Sequence, residues 1–399
     1  MLVQFSVKNF RSFKDEVTLD MRAVDGITEK SDTLHGGLLP VAALYGPNGG
    51  GKSNLLKAIT YLNYLIVAPI HYTKLDSKED GKRMIPKIDS SDVFALDKTS
   101  CDLPTEFNLV FRIGKYEYQY GIAFLHGEVL SEILRKKGLY AERASRVFER
   151  SNGKNKKIEF SAQLKKVVTN ANVKANIPLL TYLGVLYDLP QINAIIAWFE
   201  GNLLFSPRDN KYLFPTDEAA EKIAVSVMRS VGIPIVGFRS DDEAGEFYTK
   251  HEVDNVEYEL NFLNESDGTI RMVSLALPLS EAMRSGSRLV VDELDARLHP
   301  QLLRYIIGLF QDPEINKHGA QLIFSSHDMS TMNKNVFRRD EIWFVAKNKA
   351  ESSELYSLSD FRDEHGNRPS PNAAYDKQYL AGRYGADPYL QNLIQWGQP

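Results

Sequence analysis

One segment constrains this chain more than any other feature: Gly46-Pro47-Asn48-Gly49-Gly50-Gly51-Lys52-Ser53. It fits the phosphate-binding pattern G-x-x-x-x-G-K-[ST], the P-loop, at every fixed position. The residues before it, Val41 to Leu44, have the composition of a short buried strand, and those after it, Asn54 to Ile59, begin an apolar-periodic helix. In this context the backbone N–H groups and the helix N-terminus can surround a phosphate chain. The sequence therefore predicts a nucleotide site.

The polar members of this loop have separate expected roles. Lys52 would reach the β- and γ-phosphates, and the hydroxyl of Ser53 would ligate Mg²⁺. The alternative is a glycine-rich turn without a ligand, which the flanking strand and helix disfavour. The residues expected to contact the nucleotide here are Gly46, Asn48, Gly49, Gly50, Gly51, Lys52, Ser53 and Asn54.

Composition excludes several classes of protein. The net charge of −4 over 399 residues gives no overall basic field, so nucleic-acid contact would depend on a local patch. Cys101 is the only cysteine, which excludes an internal disulfide and fits a reducing compartment. The N-terminus lacks a signal-peptide profile, and the longest apolar run is too short to span a bilayer. We therefore expect a cytoplasmic protein with no membrane partner.

Further candidate residues follow apolar strands in the second half of the chain. Asp292 and Glu293 come directly after Leu289 to Val291, at the ligand edge expected for a parallel strand. Asp292 would hold Mg²⁺ and Glu293 would act as general base on the attacking water. His327 follows another apolar strand and could donate a hydrogen bond to a γ-phosphate. The alternatives are a pair of solvated acids and a structural histidine.

Two weaker candidates lie elsewhere. Ser266 and Gly268 precede the helical stretch Ile270 to Arg284, where the serine could simply cap the helix. Gly268 would permit close backbone approach. Arg11 lies in a turn between two strand-like segments and could reach a phosphate, although a solvated turn arginine is the simpler interpretation.

In this order the motifs resemble those of ABC-type ATPases of the RecF, SMC and OLD branch. The resemblance is nearest to the AAA-type ATPases of anti-phage defence systems, as OLD-like ATPases without a Toprim nuclease domain. Its parts are the first strand (Phe5 to Phe13), Walker A (Gly46 to Ser53), the signature (Ser266 to Thr269), Walker B (Val290 to Glu293), the D-loop (Leu294 to Pro300), the switch histidine (His327) and the tail (Tyr379 to Ala386).

The predicted fold class is α/β: a P-loop NTPase with an ABC-type head. Strands that alternate with helices after the P-loop predict a mixed, largely parallel sheet with crossover helices. Strand-like runs between Phe107 and Glu149 predict an antiparallel β-lobe, and helical patterns dominate from Ser161 to Ser230. We therefore expect one domain, with residues 1–70 and 263–399 as the nucleotide-binding core. The β-lobe would occupy about 93–160 and a helical lid about 161–262.

The resemblance also implies a mechanism and partners. It implies hydrolysis of ATP with Mg²⁺, and a homodimer or higher oligomer in which Ser266 and Gly268 complete the nucleotide site of the opposite subunit. No heptad run separates Lys52 from Ser266, so long coiled-coil arms are not expected. The chain ends at Pro399 without a Toprim-like segment, and no Asp-x-Asp cluster follows His327. Any nuclease or toxin activity is therefore expected in a separately encoded effector.

The sequence is compatible with two other functions. One is a RecF-like repair ATPase that binds DNA directly, and the other is a nucleotide sensor and assembly scaffold that does not hydrolyse ATP. The first would need a basic surface, which the segment from Arg135 to Lys157 could supply unless it is only a solvated hairpin face. Its nine basic residues are Arg135, Lys136, Lys137, Arg143, Arg146, Arg150, Lys154, Lys156 and Lys157.

Overall fold

The structure, a computed structural model, describes residues 1–74, 88–89, 91–153, 156–205, 214–215, 217–241, 243–362 and 366–385. Most of the loop that the sequence predicts between residues 71 and 92 lies outside this part, as do Lys154 and Ala386. The strands that it contains are β1 (Leu2–Lys8), β2 (Val17–Asp20), β3 (Val41–Tyr45), β4 (Thr105–Ile113), β5 (Tyr116–Leu125), β6 (Glu128–Gly138), β7 (Ser145–Ser151), β8 (Lys157–Phe160), β9 (Asn202–Phe205), β10 (Ile235–Asp241), β11 (Glu246–Val253), β12 (Val256–Asn261), β13 (Arg288–Val291), β14 (Gln321–Ser325), β15 (Ile342–Lys347) and β16 (Ser353–Ser357). The helices are α1 (Lys52–Lys74), α2 (Ala162–Lys165), α3 (Leu179–Leu186), α4 (Pro190–Glu200), α5 (Glu218–Ser230), α6 (Asp267–Ser285), α7 (Pro300–Gln311) and α8 (Tyr375–Leu380).

A six-stranded sheet carries the P-loop, with strand order β16-β15-β3-β14-β13-β9. Its strands are mutually parallel except β16, which pairs antiparallel with β15 at one edge. Parallel neighbours such as β13 and β14 cannot be joined by a tight turn, so crossover connections must link them, as α7 does between these two strands. The predicted fold class, an α/β P-loop NTPase with a mixed sheet, is confirmed.

The core lies on both faces of this sheet because successive strand side chains point to opposite sides. In β3, Ala42 and Leu44 pack in a cluster with α1, α3 and α4, whereas Val41, Ala43 and Tyr45 pack in a second cluster with α5, α6 and α7. Every residue of β3 is fully buried. The unbroken apolar run before the P-loop is therefore the signature of a central strand.

A seven-stranded antiparallel sheet, in the order β2-β1-β4-β5-β6-β7-β8, forms the predicted β-lobe. The boundary between this β-lobe and the nucleotide-binding core differs from the prediction in one respect. Strands β1 and β2, which the sequence predicts as part of the nucleotide-binding core, belong to this sheet because β1 pairs with β4. The buried Gln321 side chain joins the two sheets: its Oε1 accepts from Leu2 N at 2.6 Å, and its Nε2 donates to the carbonyls of Leu2 and Leu39.

The segment 161–262 is less helical than the sequence predicts. Besides α2 to α5 it contains β9, which pairs in parallel with β13 and so belongs to the P-loop sheet. It also contains β10, β11 and β12, a separate antiparallel sheet of three strands. Strand β9 has only four residues, too few to separate a buried strand from a helix end by periodicity.

Within the described residues no single helix is long and apolar enough to cross a membrane. Two helices joined by a sharp bend, Leu179–Leu186 and Pro190–Glu200, reach the length and apolar composition of a membrane span only when they are taken together.

Candidate functional site

A polar cleft of about 470 Å³ lies over the carboxyl ends of β3, β13 and β14. This is the edge where open α/β sheets bind ligands. It brings together residues that are far apart in sequence, and nearly all of them are polar or glycine. Its lining residues are Pro47, Asn48, Gly49, Gly50, Gly51, Lys52, Ser53, Asn54, Lys57, Asp292, Glu293, Ser325 and His327.

The backbone of the P-loop is fixed by β15 and β16. A Cβ atom on Gly50 would lie 2.6 Å from the carbonyl oxygen of Val345, and one on Gly46 would overlap the same oxygen. Gly51 has a φ of +117° and faces the hydroxyl of Ser353, which donates a 2.6 Å hydrogen bond to Gly50 O. The glycines are therefore required both by positive φ angles and by close contact with the neighbouring hairpin.

Lys52 begins α1 and is 6% exposed. Its ammonium donates to the carbonyl oxygens of Gly46 at 2.8 Å and Pro47 at 3.1 Å. Burial lowers the pKa of Lys52, while the negative charges of Asp292, Asp295 and Glu293 oppose this effect. The lysine is thus a desolvated cation beside the acids at the carboxyl end of β13, a favourable place for anionic phosphate oxygens.

Ser325, the last residue of β14, organises the two acids and was not predicted from the sequence. Its hydroxyl donates to Asp292 Oδ1 at 2.6 Å and accepts from Glu293 N at 2.7 Å. Glu293 has a φ of +50°, which is uncommon for a residue with a side chain. The hydroxyl bond and a second bond, from Arg271 to the Glu293 carbonyl, hold this strained conformation in place. A polar residue at a strand end was the only available signal for Ser325.

The oxygen atoms in this cleft suit Mg²⁺. Asp292 and Ser53 offer a carboxylate and a hydroxyl within one cleft, beside the loop that would hold phosphates. Mg²⁺ in nucleotide enzymes is commonly held by one or two protein oxygens together with phosphate oxygens and water. The structure therefore fits the predicted roles of both residues as magnesium ligands.

His327 lines the same cleft, and its backbone N–H donates to Asp295 Oδ2 at 3.1 Å. Asp295 therefore joins the segment after Walker B to the segment after β14. Arg271, another residue not singled out from sequence, is buried on α6 behind Glu293. Burial lowers its pKa to about 10 against the attraction of Asp295 and Glu293. A charged residue between the apolar Ile270 and Met272 was the signal that could have found it.

Ser266 and Gly268 do not line this cleft within one chain. Ser266 caps α6, where its hydroxyl accepts from Thr269 N at 3.2 Å. A Cβ on Gly268 would lie 3.2 Å from the carbonyl oxygen of Arg297, in the segment after Walker B. A serine at 266 and a glycine at 268 are therefore explained by contacts within one chain. The helix cap, which is the alternative role for Ser266, is present.

Arg11 is also absent from the residues that line the cleft. Its guanidinium lies 3.2 Å from Asp92 Oδ1, and its backbone N–H donates to the Asp92 carbonyl. The neighbouring Ser12 is closer to the P-loop, because its hydroxyl accepts from Asn54 Nδ2 at 2.9 Å. The structure thus gives Arg11 an ion-pair partner outside the cleft.

The basic segment from Arg135 to Lys157 is largely engaged within the β-lobe. Arg150 is 1% exposed and donates to the carbonyls of Ile177 and Lys174. Lys136 lies over the Tyr116 ring at 3.7 Å, Lys137 pairs with Glu117, and Arg146 and Lys157 pair with Glu159. These contacts favour a hairpin face with internal pairing over a continuous phosphate-binding surface.

The role of Ser325 gives a first test. If the chain hydrolyses ATP as expected, Ser325→Ala should lower that rate about tenfold with less than a threefold change in ATP affinity, because it removes one hydrogen bond that orients the predicted general base and the predicted metal ligand. Steady-state hydrolysis and equilibrium binding would measure the two effects. Ser287→Ala is the matched control, since this buried serine lies just before the amino end of β13, away from the cleft. Equal rates for the two variants would contradict the assigned role.

Comparison with protein families gives one match. The model of the family described as "AAA domain, putative AbiEii toxin, Type IV TA system" matches residues 41–333. This range includes the P-loop, the two acids after β13, and His327. A comparison with curated proteins finds no match.

Similar solved structures are SMC head domains. The SMC head domain from Thermotoga maritima is 17% identical, with a TM-score of 0.41, and the similarity covers 89% of this chain and 98% of that one. An SMC head bound to the C-winged helix domain of ScpA is 14% identical, with a TM-score of 0.44 and coverage of 89% and 97%. An Smc head with an extended coiled coil, bound to the C-terminal domain of ScpA and derived from Pyrococcus furiosus, is 14% identical, with a TM-score of 0.40 and coverage of 89% and 96%. The fold class rests on the strand order and not on these scores.

Proposed function

We propose that this chain, which belongs to the AAA domain family whose model matches residues 41–333, binds and hydrolyses ATP with Mg²⁺. The membership confirms the resemblance to AAA-type ATPases. One observation carries the catalytic part of the proposal. The P-loop lysine, the hydroxyl that follows it and two consecutive acids line a single cleft, although the lysine and the acids lie on different elements.

The reaction follows from what each side chain can do. The loop amides and Lys52 would bind and orient the phosphates, and Mg²⁺ held by Asp292 and Ser53 would neutralise charge on their oxygens. Glu293 would accept a proton from the attacking water, and His327 would donate a hydrogen bond to the transferred phosphoryl group. The short bond from Ser325 keeps the carboxylate of Asp292 in position while Glu293 acts.

We further propose that two chains complete each site. Ser266 and Gly268 stand at the N-terminus of α6, and neither lines the cleft of its own chain. Helix N-termini and their backbone N–H groups stabilise nearby phosphate charge. A second copy could therefore bring this helix end to the γ-phosphate, so that ATP binding favours a dimer or a higher oligomer.

The biological role is proposed from the family description. The family description refers to a toxin and a type IV TA system, which supports a role in anti-phage defence. We propose that the ATP-driven dimer controls a separately encoded effector, a nuclease or toxin, in the cytoplasm. DNA remains an alternative partner, but the internal pairing of the basic segment gives it no specific support. Copurification with the products of neighbouring genes would identify the effector.

The two-chain site has a direct test. Ser266→Arg should leave ATP binding by a single chain within about threefold of wild type, yet block dimerisation and reduce turnover at least about a hundredfold, because the large cation would occupy the contact with the second chain. ATPase rate per chain should be measured against protein concentration, with sedimentation at each point. Ser285→Arg, at the exposed other end of α6, is the matched control.

A mixing experiment sharpens this test. A dimer of one Ser266→Arg chain and one Lys52→Ala chain should hold at most one competent site, built from the intact P-loop of the first chain and the intact helix N-terminus of the second. Some activity should therefore return on mixing. A rate per chain that is independent of concentration, down to a demonstrably monomeric state, would exclude the two-chain site. That result would leave the P-loop assignment intact. If the wild-type chain showed no turnover at all, the nucleotide-sensor function would be favoured instead.

A further inference from the structure

A second polar pocket, of about 400 Å³, lies between α7 and the segment that follows His327. It is separate from the P-loop cleft, because the two have no lining residue in common. Its polar lining consists of Lys30, Arg304, Gln311, Asn333 and Asn335. None of the proposed catalytic residues belongs to it.

The pocket is lined by two cations, and no carboxylate is among its lining residues in the described part of the chain. The Lys30 ammonium donates to Gln311 Oε1 at 2.8 Å and Val336 O at 2.9 Å, which accounts for two of its three N–H donors. Arg304 donates through Nη2 to Ser330 O at 2.7 Å and has further N–H donors in its planar fork. Both positive groups are therefore anchored by backbone carbonyls while N–H donors remain for an occupant.

Gln311, the side chain that accepts from Lys30, is itself held by hydrogen bonds. Gln311 is 6% exposed, and its Nε2 donates to Val336 O and to Glu341 Oε2, both at 2.9 Å. This leaves its Oε1 as the acceptor for Lys30. The lysine is thus held against a rigid, buried wall, with Arg304 on the exposed side. Such an arrangement is preorganised, so little side-chain entropy would be lost on binding.

We propose that this pocket binds a small phosphorylated anion. Paired ammonium and guanidinium groups are the usual protein partners of phosphate, and the guanidinium can engage two oxygens at once. The pocket has the volume of a small-molecule site. It is a compact concavity, whereas a nucleic-acid backbone is bound along an extended groove. This site goes beyond the proposed ATPase and does not depend on it.

The position of the pocket indicates what its occupant would influence. Helix α7 begins at Pro300, shortly after the acids and Asp295, and Asn333 lies six residues after His327. The bond from Arg304 to Ser330 joins these two segments directly. An anion held by Arg304 and Lys30 would therefore order the segment 328–336, which adjoins the catalytic histidine. The ligand is expected to slow amide hydrogen exchange there.

The experiment uses the full-length Lys52→Ala chain, so that the P-loop does not compete for the probe. Pyrophosphate binding should be measured by calorimetry, with succinate as a carboxylate probe of similar charge. We expect one saturable pyrophosphate site per chain, at least about tenfold weaker in Arg304→Gln. Lys317→Gln, an exposed lysine outside the pocket, should leave binding unchanged. Absence of saturable binding, or equal affinity in Arg304→Gln, would overturn the proposal, and equal affinity for succinate would overturn the choice of phosphate.

A second pair of variants guards against indirect effects. Gly308 lines the pocket from α7, and a Cβ placed on it meets no atom within 4 Å. Gly308→Asp should abolish binding by adding a negative charge, whereas the nearly isosteric Gly308→Asn should retain it within about threefold. Thermal unfolding of both variants would show that each is folded. Equal binding by the two would mean that charge in this pocket does not govern recognition, which contradicts the proposed site.

Discussion

ATP binding by Lys52→Ala is expected to be at least about thirtyfold weaker than that of the wild-type chain, and turnover should be undetectable. Lys52 is only 6% exposed in the cleft. Removing one partner of a buried charge pair costs about 2–5 kcal/mol, and each 1.4 kcal/mol is about tenfold in affinity. Equilibrium binding of ATP, followed by calorimetry or a fluorescent analogue, would measure the loss.

Lys57→Ala is the matched control for this variant. Lys57 lines the same cleft five residues further along α1, but its side chain is exposed. Solvent screens an exposed charge, so we expect less than about a threefold change in affinity. Because Lys52 also donates to the carbonyls of Gly46 and Pro47, thermal unfolding must show that the variant remains folded. Wild-type affinity in a folded Lys52→Ala chain would refute the nucleotide site.

The second large effect is expected for Glu293→Gln, which should keep ATP affinity within about threefold while turnover falls by about 10²–10⁴. The amide has nearly the same shape as the carboxylate but cannot accept a proton from the attacking water. The Glu293 backbone donates to the Ser325 hydroxyl and accepts from Arg271, and neither bond involves the substituted group, so the strained geometry should persist. Single-turnover hydrolysis would separate binding from chemistry.

The same variant should accumulate an ATP-bound dimer, which sedimentation with and without ATP would detect. Glu314→Gln, an exposed glutamate after α7 and far along the chain from the acids, is the control and should hydrolyse ATP normally. If Glu293→Gln retained wild-type turnover, another group would have to activate the water. If turnover fell without dimer accumulation, the base assignment would stand and the ATP-driven dimer would not.

Elements marked by local signals are predictable from this sequence, whereas an element that depends on long-range strand pairing is not. The strand before the P-loop, β3, and the antiparallel strands β4 to β7 lie where the sequence predicts strands, and α2 to α5 lie in the segment predicted to be helical. Their turn residues and periodicity are local signals, which one sequence displays directly. The helical lid over 161–262 was less accurate, because the partner that makes β9 a sheet strand, β13, is distant in sequence.

Side-chain function divides in the same way. Arg150 lies in the basic segment that could follow a nucleic-acid backbone, yet it is buried and donates to two carbonyls from another part of the chain. Its charge was visible in the sequence, but the elements that cover it were not. The ion pair of Arg11 was equally hidden in the sequence. Its partner, Asp92, follows the P-loop and α1 in the chain.

The sequence by itself determined the P-loop and the acids after β13. Phosphate binding by a strand, a glycine loop and a helix is a local arrangement of backbone N–H groups, so a continuous segment specifies it. The tertiary structure alone decided that Ser325 bridges Asp292 and Glu293. It also decided that Val345 and Ser353 fix the loop, and that Lys30 and Arg304 meet in one pocket. Each of these contacts joins segments far apart in the chain, and packing of the sheet and its helices brings them together. No local pattern encodes such proximity.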